Sequence, residues 1–249
     1  MEKDISNMER VALIDCDSLL YKNIEDLDEY KERIDSIIND VVNLIDATHY
    51  RCFLEIKGNL TFRKAEFRDY KAHRKRVELH NMNEIREYIV NTYDAYVSIG
   101  VESDDSIIST WRHLQEEYPL TEVFVVASDK DYMTYPVNYI DLYHKRYLDV
   151  SSISQEEANY NFVNQMLMGD SADNVKSLKG IGKKSAEKLL VNVKDHWISY
   201  AKLLLPLYKK QFKSSRLSKN TIVDNYKKLR LKDNLRPCKK FTEVVYEEQ

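Results

Sequence analysis

Eight acidic residues stand in four short groups whose spacing could gather them around a cation: Asp15; Glu102, Asp104 and Asp105; Asp129 and Asp131; and Asp170 and Asp173. Asp15 closes the apolar run 11–14, the block GVESDD (100–105) follows the run 96–99, and ASDKDYM (127–133) follows the run 123–127. In open α/β sheets ligands gather beyond the carboxyl ends of the strands, so three strands would deliver acids to one edge. Asp170 and Asp173 in MGDSADN are three residues apart, which puts both on one side of a helical turn. Carboxylates a few ångströms apart repel by on the order of several kcal/mol per close pair at intermediate dielectric, and a proton or a cation must relieve that. No His or Cys accompanies these acids. An all-oxygen donor set suits a hard ion such as Mg²⁺ or Mn²⁺ rather than zinc. Two such ions roughly 4 Å apart can activate a water and stabilise the leaving oxygen of a phosphodiester. Taken singly, each acid has a plainer role: Asp104 and Asp105 as helix-dipole partners behind a cap at Ser103, Asp129 as a turn residue, Asp170 as a helix cap. Their coincidence at three strand ends favours the metal site.

The elements that must position these residues are legible as periodicities. The run 11–14 reads as a buried strand, and Leu27, Tyr30, Ile34, Ile37, Ile38, Val41, Leu44 and Ile45 follow helical spacing. Further strands are expected at 50–56, 96–99, 123–127 and 139–143, with helices near 83–95 and 104–117. This alternation predicts an α/β fold, a mostly parallel central sheet flanked by helices, over residues 1–150. Past Asp149 the strand signal stops. Ser154 and Glu157 form a capping box that opens a helix toward Met168, and 151–249 reads as a helical portion. No repeat or Pro/Gly-rich linker divides the 249 residues.

Apolar runs fall far short of the roughly 20 residues of a spanning helix, so no membrane association is expected. The N-terminal MEKDISNMER has no secretory pattern, which predicts a cytoplasmic location. Cys16, Cys52 and Cys238 match no zinc or disulfide spacing. The net charge of −3 hides segregation: 63–76 holds seven Lys or Arg against two acids, and 209–240 holds twelve against two.

The blocks IDCDS, FRKAEFRDYKAHR, GVESDD, ASDKDYM and MGDSADNVKSLKGIGKKSA, in that order over about 11–190, closely resemble the signature blocks of the flap-endonuclease/5′–3′ exonuclease family, especially its bacteriophage members. The resemblance implies a PIN-like 5′-nuclease fold, a short helical arch near 72–101, and a helix-hairpin DNA-binding motif near 170–190 followed by basic C-terminal helices. It implies that Asp15, Glu102 and Asp104 hold one Mg²⁺ (or Mn²⁺), that Asp129, Asp131, Asp170 and Asp173 shape a second site, and that Asp105 serves either. Lys71 and Arg74 match the family's active-site Lys and Arg at the scissile phosphate. Arg63 and Tyr70 are further candidates for DNA contact, as are Gly180, Gly182, Lys183 and Lys184, which would offer backbone N–H groups and charge to a DNA phosphate. In the family this hairpin also holds K⁺.

The implied activity is structure-dependent hydrolysis of DNA near 5′ ends in replication or repair, including primer removal, on duplex, nicked or 5′-flap DNA. Activity on RNA/DNA hybrids stays open, and a monomer in a bacterial or phage-infected cell is expected. The alternatives are a catalytically weakened DNA-binding protein of the same fold and a ribonuclease with a similar acid cluster.

Two departures stand out. Ile56 occupies the end of the second strand, where the family carries an acid, and Glu55 beside it could substitute only through a bulge or shifted register; Asp17 is a candidate outer acid. Only 30 residues run from Ala72 to Val101, which leaves little chain for an arch.

Overall fold

The computed structural model describes residues 9–20, 26–74, 81–142, 150–176, 178–191, 197–235 and 242–243. Strand β1 (Arg10–Asp15) is central because both its faces are apolar: Val11, Ala12 and Leu13 have no exposed surface. It pairs in parallel with β2 (His49–Glu55) and with β4 (Glu122–Ala127). β3 (Tyr96–Ser98) adds in parallel to β2, and β5 (Asn138–Asp141) in parallel to β4. With β6 (Val150–Ser152) at the far edge, the order is β3-β2-β1-β4-β5-β6, so the expected mostly parallel sheet is present.

Two strands lie where none was expected. β6 (Val150–Ser152) pairs antiparallel with β5, and β7 (Thr242–Glu243) antiparallel with β2. Both are too short to leave a period-2 pattern, and β6 is exposed along its length, so no apolar signal marks it. The division at residue 150 is therefore not a boundary of the sheet.

Alternate residues of β1 serve opposite layers. Ala12 and Ile14 pack with Cys52 and Leu54 against α1 (Leu27–Leu44) and α3 (Met82–Tyr93); Val11 and Leu13 pack with Phe53 against α4 (Ser103–Glu117). α1 starts at Asp26, whose carboxylate accepts from Asp28 N and Glu29 N at 2.8 and 3.2 Å. α3 corrects the expected arch. Ile85 and Ile89 are buried in the layer shared with α1, so half of 72–101 is a core crossover helix and β3, and 75–80 lies outside the described residues.

The helical portion has its own core. α5 (Gln155–Met168), α6 (Lys183–Leu190), α7 (Trp197–Phe212) and α8 (Ser215–Leu229) gather Phe162, Met166, Ala186, Leu204 and Tyr208. The Ser154 and Glu157 capping box opens α5 as expected, with bonds of 3.1 and 2.9 Å. Cys16 and Cys52 are buried free thiols, and Cys238 lies outside the described residues. Among the described residues no helix is long and apolar enough to cross a membrane.

Candidate active site

The carboxyl ends of β1 and β4, the N-terminus of α4 and the turn after α5 bring the four acid groups together. Asp15 ends β1, nearly buried, and accepts from Ser18 Oγ at 2.9 Å and from Asp17 N at 3.2 Å. Glu102, not Ser103, is the N-cap of α4, and Asp105 completes a capping box with it. Glu102, Asp104 and Asp105 each place a carboxylate oxygen within 4.8 Å of the others. Asp129 caps a 3₁₀ turn (Lys130–Thr134) by accepting from Asp131 N at 2.9 Å. Asp170 and Asp173 do not share a helix. They stand in a tight turn closed by the Asp170–Val175 bridge and Asn174 at φ 59°, and both face Asp131 and its neighbours.

Cross-links between distant segments define the centre. Tyr70 Oη donates to Glu102 at 2.8 Å and to Asp173 at 3.3 Å, and Lys71 Nζ lies 2.5 Å from Glu102 and 3.6 Å from Asp173. Arg74 donates to Asp173 at 3.1 Å, and Lys130 pairs with Asp170 at 3.0 Å. Lys71 holds a left-handed backbone, φ 52°, unusual for a residue with a side chain.

The electrostatics are those of crowded acids. Burial, then the charge of Asp17, pushes the Asp15 carboxyl up to about 7, with Asp129 adding to the shift. Burial, then Asp129, Asp173 and Asp170, pushes Asp131 up to about 8. Asp104 is half-exposed as a residue, but desolvation of its carboxyl, then Glu102 and Asp105, holds it well above the usual range. Burial and Glu102 outweigh the pull of Lys71 and Arg74 on Asp173, which is also raised. Glu102 and Asp170 go the other way: burial opposes their charge, but Lys71 and Arg63 overcome it at Glu102, and Lys130 with backbone donors at Asp170. Carboxylates forced to hold protons near neutral pH, with oxygen donors alone, fit a hard divalent cation.

Two residues expected at DNA sit beneath the surface instead. Arg63 has no exposed surface and donates to Asp105 at 2.7 Å from both Nη atoms and to Glu102 at 2.9 Å. Tyr70 is buried, and its hydroxyl serves two acids. Both lie in a basic stretch whose linear density says nothing about burial. Asp105 is within the acid trio by distance, and each of its oxygens accepts two bonds from Arg63, the Glu102 N–H and the Lys232 N–H, so it is held more fully by protein donors than Asp104 is. Gly180, Gly182, Lys183 and Lys184 are exposed at the start of α6, apart from the acids. Gly180 has φ +80°, which favours glycine, and the space beside both glycines is open.

Residues 10–162 match the family described as 5′–3′ exonuclease, N-terminal resolvase-like domain, over more than half of the chain. The chain belongs to this family. This 5′–3′ exonuclease family member is 26% identical over 177 residues to the flap endonuclease Xni of a Shewanella species, spanning 68% of this chain and 66% of that protein. It is 27% identical over 214 residues to a 5′-3′ exonuclease of Mycoplasmopsis pulmonis, covering 78% and 70%. The fold is similar to that of the bacteriophage T5 flap endonuclease solved with DNA and metal ions, with a TM-score of 0.66, 17% identity and 89% of each chain covered.

At the missing acid of the second strand, the structure is specific. β1 and β2 pair without a bulge, Asp15 opposite Phe53, so Glu55 shares the Asp15 face of the sheet without any slip. There it pairs with Lys64 at 3.2 Å, and burial followed by Glu102 among its neighbours raises its pKa despite that lysine. Ile56 is 40% exposed. Asp17 accepts from Glu55 N at 2.6 Å and from Arg86 at 2.5 Å, which ties the end of β1 to β2 and α3 rather than leaving an outer acid free. Sequence reasoning missed Tyr132, whose hydroxyl reaches Asp15 at 3.4 Å, and Gln165, which donates to Asp131 at 2.5 Å. Neither residue type carries a signal of its own. Lys130 alone could have been found, as the cation inside SDKD.

Proposed function

We propose that the chain is a structure-dependent 5′-nuclease that hydrolyses DNA phosphodiesters near 5′ ends, as 5′–3′ exonuclease, flap endonuclease or both, in DNA replication or repair. One observation carries the reading: acids from four chain segments raise one another's pKa in a single cluster crossed by Lys71. Two Mg²⁺ or Mn²⁺ ions are assigned there, with Asp15, Glu102, Asp104, Asp129, Asp131, Asp170 and Asp173 as holders. Bound ions would supply charge stabilisation and a more acidic water. Tyr70 orients Glu102 and Asp173, and Lys71 and Arg74 face the phosphate, stabilising charge as it develops. Asp105 and Arg63 act from behind. The open N-terminus of α6 binds a DNA phosphate without reading sequence. K⁺ at this hairpin rests on the family resemblance alone. Products carry 5′ phosphates.

The test is cleavage of 5′-labelled flap and nicked duplex in Mg²⁺ and in Mn²⁺, with an RNA/DNA hybrid alongside. Metal-dependent cutting of DNA is expected. Binding without cutting across both metals would replace the reading with that of a DNA-binding protein of the same fold, and cutting of the hybrid alone with that of a ribonuclease.

Lys71→Ala is expected to lower single-turnover cleavage by about 10²- to 10³-fold, as for loss of one donor aimed at developing charge, with DNA affinity changed far less. Equal loss in both would make Lys71 a binding residue.

The duplex path is expected to continue past α6. No acid occurs in 197–223, whereas Lys209, Lys210, Lys213, Arg216 and Lys219 are exposed, and Lys179 N donates to Gln211 at 2.5 Å, joining the hairpin loop to α7. Replacing Lys209, Lys210 and Lys213 by Gln should reduce the slope of log affinity against log salt by up to about 2.7, at about 0.9 per phosphate contact. An unchanged slope would confine the footprint to the hairpin.

A further inference from the structure

The chain after α8 runs on as a strap, 230–235, against α4 and the residues around Thr134, and touches both acid-bearing halves of the site. Arg63 is the link to one half. A guanidinium has five N–H donors, and all five are matched: two to Asp105, one to Glu102, one to Arg230 O at 2.8 Å and one to Lys227 O at 3.3 Å. Asp105 is matched as fully. Beyond Arg63 it accepts from Glu102 N at 3.2 Å and from Lys232 N at 2.7 Å. Ser109 of α4 fastens the strap again, donating to Lys232 O at 2.8 Å and accepting from Leu235 N at 3.2 Å.

The strap meets the other half at the turn that carries Asp131. Arg230 donates to Thr134 O at 2.9 Å and lies 3.9 Å from the centre of the Tyr135 ring, while Tyr135 Oη donates to Leu231 O at 2.5 Å. Leu231 is buried with Trp111 and Tyr135 in the layer under α4. One short segment, through its backbone at Lys232 and Leu231 and the side chain of Arg230, thus bridges the N-terminus of α4 and the turn Lys130–Thr134.

We propose that Arg63 and the strap 230–235 are positioning elements that set the metal affinity of the site, Arg63 by fixing the rotamer of Glu102 and the strap by fixing the distance between the Glu102 and Asp131 groups. The proposal rests on the metal-site reading above. A clamp with only a folding role would hold the same contacts yet leave ion affinity untouched. Orientation of a ligating carboxylate by a partner behind it is instead read directly in ion affinity, which falls about 10- to 100-fold when such a partner is lost.

Arg63→Lys keeps the charge and loses the fork; Arg230→Gln, at a half-buried position, leaves Arg63 in place but removes the link to Thr134. Mn²⁺ binding to the full chain, followed by calorimetry and by the loss of free-Mn²⁺ electron paramagnetic resonance signal, is expected to weaken about tenfold or more in Arg63→Lys and measurably in Arg230→Gln. DNA affinity without metal should stay at the wild-type value, and high Mn²⁺ should restore cleavage by Arg63→Lys with KM for DNA unchanged. Folded Arg63→Lys that binds Mn²⁺ within twofold of wild type overturns the proposal. Should Arg63→Lys not fold, wild-type Mn²⁺ affinity in Arg230→Gln overturns it instead. Wild-type protein that binds no Mn²⁺ at all would sink the metal-site reading itself, a result distinct from either.

Discussion

Asp131→Asn is expected to lower cleavage about 10³-fold or more, the equivalent of several kcal/mol of charge stabilisation withdrawn from the transition state. Asp131 stands where the acid groups meet: nearly buried, with Asp129, Asp173 and Asp170 all raising its pKa. An amide binds a hard cation far less well than a carboxylate does. The fold should tolerate the change, because the Asn carbonyl can still accept the bond that Gln165 makes to Oδ1 of Asp131. DNA affinity should hold or rise, since one negative charge fewer faces the phosphates. Single-turnover cleavage of a labelled flap, paired with a binding isotherm, reads both quantities. Turnover within tenfold of wild type would remove Asp131 from the ion-holding set.

The metal-free protein is expected to become less stable as pH rises, against the usual behaviour of paired acids, and Mg²⁺ should reverse this. In the folded chain Asp15 is pushed up to about 7 and Asp131 up to about 8, both from an ordinary 3.8. The folded state therefore binds more protons than the unfolded chain between those values. The stabilisation is fully present below the unfolded pKa and is lost as pH climbs through 7 and 8. Its size is on the order of a few kcal/mol, because the two groups share neighbours and do not add independently. A bound divalent cation takes over the protons' role, so the Mg²⁺-induced rise in Tm should be larger near pH 8 than near pH 6. Thermal melts with and without Mg²⁺ across this range measure the effect. A Tm indifferent to both pH and Mg²⁺ would mean that the acids are not crowded in solution.

The acids were legible because strand ends are legible. An apolar run such as 123–127 cannot be anything but interior, and the acids that follow it must emerge at the sheet edge. The spacing of Asp170 and Asp173 put both on one side of a turn, and both face Asp131 from a turn closed by Val175, a closure that the spacing alone does not show. Within 72–101 chain length alone cannot distinguish an arch from a crossover, and the burial of Ile85 and Ile89 that makes α3 a crossover helix is a matter of tertiary packing. β6 and β7 were invisible because two or three residues carry no period.

By itself the sequence determined the chemistry of the donors: oxygen ligands only, carried on the ends of named strands, with a lysine and an arginine between them. The tertiary structure decided which of those carboxylates remain available to a cation. Asp104 and Asp105 are neighbours of the same type, yet Asp105 is fully engaged by Arg63, the Glu102 N–H and the backbone of residue 232, whereas at Asp104 burial and the charges of Glu102 and Asp105 outweigh Lys71 and Arg63. That division cannot be read locally, because the Arg63 and Lys232 partners of Asp105 lie 42 and 127 positions away in the chain. A carboxylate becomes a support or a ligand according to the donors that long-range packing brings within hydrogen-bond reach.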